Sequence, residues 1–168
     1  DDRNDELADL LAASRGLNLG FAVLTGARDV QPSDIARIDA DTASRIVWLD
    51  RLVANPDRTA QNPNLMLEGN SVWLIDHGAA LGFQYDWPGV SEESVRDDPA
   101  PLSPHVLAAR ATALAALDAE LAARLDRATL HAIIEAVPDD FLRRLLPSGA
   151  TGPDLVRRRA AYHAVLWK

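Results

Sequence analysis

Asn55-Pro56-Asp57-Arg58-Thr59-Ala60-Gln61-Asn62, followed by Ile75-Asp76-His77-Gly78, is the stretch around which the rest of this chain can be organised. Asp57 precedes Asn62 by five residues, and Asp76, in an Asp-x-Gly triplet, follows Asn62 by fourteen. That order suits phosphoryl transfer, which needs positioned charge more than covalent chemistry. One carboxylate orients an attacking hydroxyl. An amide oxygen and a second carboxylate hold Mg²⁺ against nucleotide phosphates. Asp57, Asn62 and Asp76 are the candidates for those three roles. On the residues alone a plainer reading stays open, in which Asp57 caps a turn and Asp76 caps the next element.

The flanking residues predict how the stretch is held. Upstream, Asp41 can N-cap a helix to about Ala54, with Ile46, Val47, Leu49, Leu52 and Val53 as its apolar face. Asn55-Pro56 stops it, because the residue before proline avoids the helical region. Asp57 is therefore expected in a loop just past a buried helix. Downstream, Asn64 to Leu67 and Val72 to Ile75 are apolar runs around Glu68-Gly69-Asn70-Ser71, which predicts a short β-hairpin. Such a hairpin returns Asp76 towards Asn62.

Further out, residues 1–14 read as a helix ended at Gly16, and Leu17 to Ala40 as irregular. Phe83 to Pro104 reads as a long loop. Ser103-Pro104 is expected to open a helix carrying Leu107, Leu114, Leu117 and Leu121. Further helices are expected over about Thr129 to Ala136, Asp139 to Leu146 and Gly152 to Leu166. The predicted fold class is mainly α with one small β-hairpin that carries both loops.

The chain has 168 residues and a formal net charge of −8. That length fits one domain with its own core. The acidic balance argues against a broad nucleic-acid or anionic-membrane footprint. No Cys is present, so thiolate metal sites are excluded. No run approaches the ~20 apolar residues of a membrane span. Of the 17 basic residues, 16 are Arg; Lys168 is the single Lys.

Other residues invite function less. His77 beside Asp76 points the opposite way in an extended segment, so packing suits it better than shared ligation. His105, His131 and His163 have no partner at ligand spacing and read as solvated or partly packed. Trp48 and Trp73 read as core or core-edge residues. Trp87, in the loop after Asp76, is kept open as an acceptor contact. Arg157-Arg158-Arg159 reads as a solvated helix face. No Walker loop, His-Glu-x-x-His or Gly-x-Ser-x-Gly occurs.

The runs Ile46 to Leu65 and Val72 to Leu81, together with Ala13 to Phe21, resemble the HipA-like kinases, and the resemblance covers roughly residues 10–90. The Asp-Arg-x-x-x-Asn core is also similar to that of phosphoinositide kinases, which usually read Asp-Arg-His where this chain has Thr59. The resemblance implies the large lobe of a kinase-like domain. It implies Asp57 as the catalytic Asp, Asn62 and Asp76 as metal and nucleotide ligands, and Mg²⁺ with ATP as cofactors. Arg58 is implied as a structural ion-pair partner and Asn64 as a loop-holding residue. HipA phosphorylates a protein, so a protein Ser or Thr is the first acceptor implied. A bacterial, cytoplasmic protein is implied as well.

Two alternatives accompany that expectation: a non-catalytic pseudokinase-like or interaction module, and a lipid or small-molecule kinase. The chain contains no glycine-rich phosphate loop, and Lys168 stands far downstream of where the phosphate-pairing Lys belongs. The expectation is a large lobe over 1–168, divided at 102/103 into a catalytic and metal-loop part and a helical tail, with the small lobe missing from the chain. Such a piece is expected to be inactive by itself. Its expected partners are a nucleotide and a protein substrate, without membrane or nucleic acid, and its exposed small-lobe face is expected to self-associate.

Overall fold

The computed structural model describes residues 2–91, 104–146 and 148–167. The molecule is 48% helix and 8% strand, so it is mainly α, as the sequence pattern predicts. The helices are α1 (Asp2–Ala13), α2 (Pro32–Ile35), α3 (Ala40–Leu52), α4 (Leu114–Arg124), α5 (Arg127–Glu135), α6 (Asp139–Arg143) and α7 (Gly152–Leu166). Two 3₁₀ turns, Gly82–Tyr85 and Trp87–Gly89, follow the Asp76 loop. No helix among the described residues is long and apolar enough to cross a membrane.

The expected hairpin is present as β2 (Leu65–Glu68) and β3 (Ser71–Leu74), paired from Leu65↔Leu74 to Glu68↔Ser71. Gly69 at φ +59 makes the two-residue turn possible, since glycine enters the left-handed region without steric cost. A third strand, β1 (Arg28–Asp29), adds to β2 and makes a three-stranded antiparallel sheet ordered β1-β2-β3. β1 lies inside the stretch expected to be irregular; two residues are too few to show a period.

Helix α3 begins two residues earlier than expected. Its N-cap is Asp39, not Asp41: the Asp39 carboxylate accepts the Thr42 backbone N–H at 2.9 Å and the Thr42 hydroxyl at 2.9 Å. Asp41 sits in the first turn and pairs with Arg45 at 2.7 Å. The helix stops at Leu52, with Ala54 in the left-handed region at φ 49. Ala43, Ile46 and Val47 pack with Val30, Ile38, Leu65, Leu107 and Ala111 into the first core cluster. The sheet lies against this cluster through Leu67, Val72 and Leu74.

The helix expected from Ser103-Pro104 starts at Leu114 instead, and Ser103 lies outside the described residues. Residues 104–113 are held elsewhere: Thr59 and His105 form an isolated antiparallel bridge, and the Val106 N–H donates to the Arg58 carbonyl at 3.0 Å. A backbone in a bridge cannot also be helical. Leu107 still reaches the core, fully buried.

A second cluster joins Leu130, Ile134, Leu142, Leu155 and Tyr162 from α5, α6 and α7. The chain after Asp76 docks into it. Phe83, Trp87 and Tyr162 form an edge-to-face trio with centroids 5.3–5.5 Å apart. The Arg158 guanidinium lies 4.1 Å from the Trp87 ring centroid. Trp87 is therefore an anchor for the loop. Tyr162 completes the attachment by donating to Gln84 Oε1 at 3.0 Å.

Candidate functional site

Asp57 lies where the sequence places it, in the loop after α3. Its Oδ2 accepts from Asn62 Nδ2 at 2.8 Å and from Asn64 Nδ2 at 3.1 Å. A carboxylate oxygen only accepts, so both amides must turn their NH₂ groups towards it. The Asn62 Oδ1 therefore faces away from Asp57, and no protein group among the described residues donates to it. Thr59 closes the loop: its N–H donates to the Asn62 carbonyl at 3.0 Å, and its hydroxyl accepts from the Asn62 N–H at 3.2 Å.

Asp76 reaches the same end of the hairpin. Leu65↔Leu74 is the last strand pair, and the Ile75 N–H extends it by donating to the Asn64 carbonyl at 3.0 Å. Asp76 is the next residue, in the left-handed region at φ 49, which Asp tolerates because its short carboxylate bonds locally. Its Oδ1 accepts the Gly78 N–H at 3.3 Å. A Cβ at position 78 would itself lie 3.3 Å from that oxygen, so glycine suits this place. Asn64, also left-handed at φ 48, thus ties Asp57 to the strand that delivers Asp76. No hydrogen bond among the described residues joins Asp76 to Asp57 or Asn62.

The donor set is an amide oxygen and an exposed carboxylate, both hard. Mg²⁺ keeps several waters and takes one or two protein carboxylates beside substrate phosphates, so this set fits it. Among the described residues no cluster of three or more His, Asp or Glu could form an all-protein cage. A groove of about 1790 Å³ between α5, α6 and α7 is lined by residues such as Arg127, His131, Leu155 and Trp167, and by none of the three candidates. Its acids, Glu135 and Asp139, are engaged by Arg159 at 3.9 and 2.7 Å.

Beneath the loop lies a network in which the sequence pointed to Arg58 but not to its partners Asp50, Asn55 and His105. The side chains of Asp50 and Arg58 are wholly buried. Arg58 Nε donates to Asp50 Oδ2 at 2.5 Å and Nη2 to Oδ1 at 3.3 Å. Arg58 Nη1 donates to the Pro63 carbonyl at 3.3 Å and also to the Asn64 carbonyl. Nη2 lies 3.4 Å from His77 Nε2. The implied structural role of Arg58 matches these contacts. Asp50 further accepts from Asn55 Nδ2 at 3.0 Å and contacts His105 Nε2 at 2.9 Å. His105, expected to be solvated or partly packed, is buried.

Burial alone would push the Asp50 carboxyl up; the hydrogen bonds from His105, Arg58 and Asn55 outweigh it and lower it from 3.8 to about 2. A depressed carboxyl stabilises the fold above its unfolded value and loses that contribution as pH falls through the folded one. The expected result is about 2 kcal/mol of stability, complete above roughly pH 4 and lost between roughly pH 4 and pH 2. Urea midpoints measured against pH should slope over that window, and the slope should flatten in Asp50→Asn.

A family model described as HipA-like kinase matches residues 5–146, so most of the chain, including all three candidate residues and the buried network, falls within the match. No curated protein and no solved structure matches the chain.

Proposed function

Starting from the finding that the chain belongs to the HipA-like kinase family, we propose that it supplies the large-lobe side of a Mg²⁺-ATP phosphotransfer site acting on a protein Ser or Thr. Kinase-family membership carries nucleotide and metal use in general; the ion, the residue roles and the acceptor are the proposal. The observation that supports it best is the pair of bonds on Asp57 Oδ2. They hold the carboxylate in place, leave Oδ1 for an acceptor hydroxyl, and turn the Asn62 oxygen outward.

In this reading Asp57 Oδ1 accepts the proton of the acceptor hydroxyl. The acceptor oxygen bonds to the γ-phosphorus, and the bond from that phosphorus to the bridging oxygen breaks, releasing ADP. Asn62 and Asp76 would hold Mg²⁺, which would neutralise phosphate charge as it develops. Gly78 and the left-handed turn at Asp76 keep that carboxylate exposed. Asn64 keeps Asp57 and Asp76 on one rigid end of the hairpin.

The test is transfer of label from γ-labelled ATP by the natural protein that carries this chain, followed by hydrolysis to free amino acids. Label on Ser or Thr, abolished by chelation of divalent cations, is expected. Label in lipid or a small metabolite would replace the acceptor class. No transfer to any acceptor would favour the non-catalytic reading.

A further inference from the structure

We propose that His105 is a positioning residue for Asp57, acting through Asp50 across two hydrogen-bonded arms. The inference rests on the phosphotransfer reading above and adds a residue to it. His105 Nδ1 accepts the Leu107 N–H at 3.0 Å. That bond fixes the tautomer in which Nε2 carries hydrogen, so Nε2 donates to Asp50 Oδ2 at 2.9 Å. From Asp50 one arm runs through Asn55, whose Nδ2 donates to Asp50 and whose Oδ1 accepts the Asp57 N–H at 3.2 Å. The other runs through Arg58 to the Asn64 carbonyl, and Asn64 Nδ2 donates to Asp57 Oδ2. One arm therefore sets the Asp57 backbone and the other its carboxylate.

His105 lies 55 residues from Asp50 in sequence. It brings its own segment with it, through the Thr59↔His105 bridge and the Val106 N–H on the Arg58 carbonyl. The stretch that follows Asp76 is thus tied at its far end to the loop that bears Asp57. Small displacements of a catalytic group can lower turnover strongly without touching ground-state binding, so the effect belongs in kcat.

His105→Asn keeps an acceptor for the Leu107 N–H but is too short to reach Asp50, and His105→Gln restores a donor at the Nε2 position. In the natural protein carrying this chain, the Asn variant is expected to lose about tenfold or more in kcat, with KM for ATP within about twofold. The Gln variant should recover most of that loss. Equal kcat in Asn and wild type, or a Gln variant as impaired as Asn, would overturn the inference while wild-type transfer leaves the phosphotransfer reading standing. A wild type without transfer would remove both. Native-state hydrogen exchange of the unmutated protein supplies a reading that needs no variant. The Thr59, Val106 and Leu107 amides should open together as one unit, and separate opening would also overturn it.

Discussion

Asp57→Ala is expected to lower phosphate transfer by about 10²–10⁴-fold while leaving the chain folded. Asp57 is half-buried in a loop and outside both core clusters. Its packing contribution is small, and among the described residues its side-chain bonds run to two amides that water can satisfy. Hydrogen bonds to charged groups are worth roughly 1.5–3 kcal/mol, which sets the scale of the stability loss. Asp57→Asn separates the two effects further, because it keeps an oxygen for one of the amides and removes the proton acceptor. Label transfer and thermal melting should be measured on the same preparations. Retained transfer, or a collapsed fold with Asn as with Ala, would take Asp57 out of the chemistry.

The second large effect concerns stability. Arg58→Ala should cost about 3–5 kcal/mol, because it leaves the Asp50 carboxylate buried with its main cation gone. For a chain of this size that corresponds to a fall in Tm of roughly 6–20 °C. Arg58→Lys should rescue little, since an ammonium cannot reproduce the fork that spans two carboxylate oxygens and two carbonyls. The control is Arg45→Ala. Arg45 pairs with Asp41 at 2.7 Å, and the two side chains are 36% and 55% exposed, so a much smaller loss is expected. Comparable losses at the two sites would contradict the account of the buried network.

The two predictions differ in how far each was legible in the sequence. Asp57, Asn62 and the hairpin could be read because every signal is local: a helix stopped at Asn55-Pro56, a loop, then Gly69-Asn70 between apolar runs. The Asp50–His105 contact could not, because nothing in a sequence window joins residues 55 apart. One signal was nonetheless present. Asp50 stands three and four residues after Val47 and Ile46, which puts it on the buried stripe of α3. A carboxylate on that stripe needs a buried cation, and Arg58 is the next Arg downstream of Arg51. The start of α3 was misread because Asp39 and Asp41 are both able caps. The late start of α4 follows from the bridge at Thr59, a tertiary contact that overrides the Ser-Pro helix signal. The anchoring of Trp87, kept open in the sequence as an acceptor contact, was hidden for the same reason: its partner Tyr162 comes from α7.

On the proposed reading Asn62 and Asp76 share one divalent-cation site, with Asp57 beside it. Titration with Mn²⁺ in the presence of ATP, followed by paramagnetic broadening of the amide spectra, tests it directly and does not depend on turnover. The Asn62 side-chain amide and the backbone amides of Asp57, Asp76 and Gly78 are expected to broaden first and together, and Asp76→Asn is expected to abolish the effect. Broadening that begins instead around Glu135 and Asp139, or that reaches Asp76 without Asn62, would contradict it.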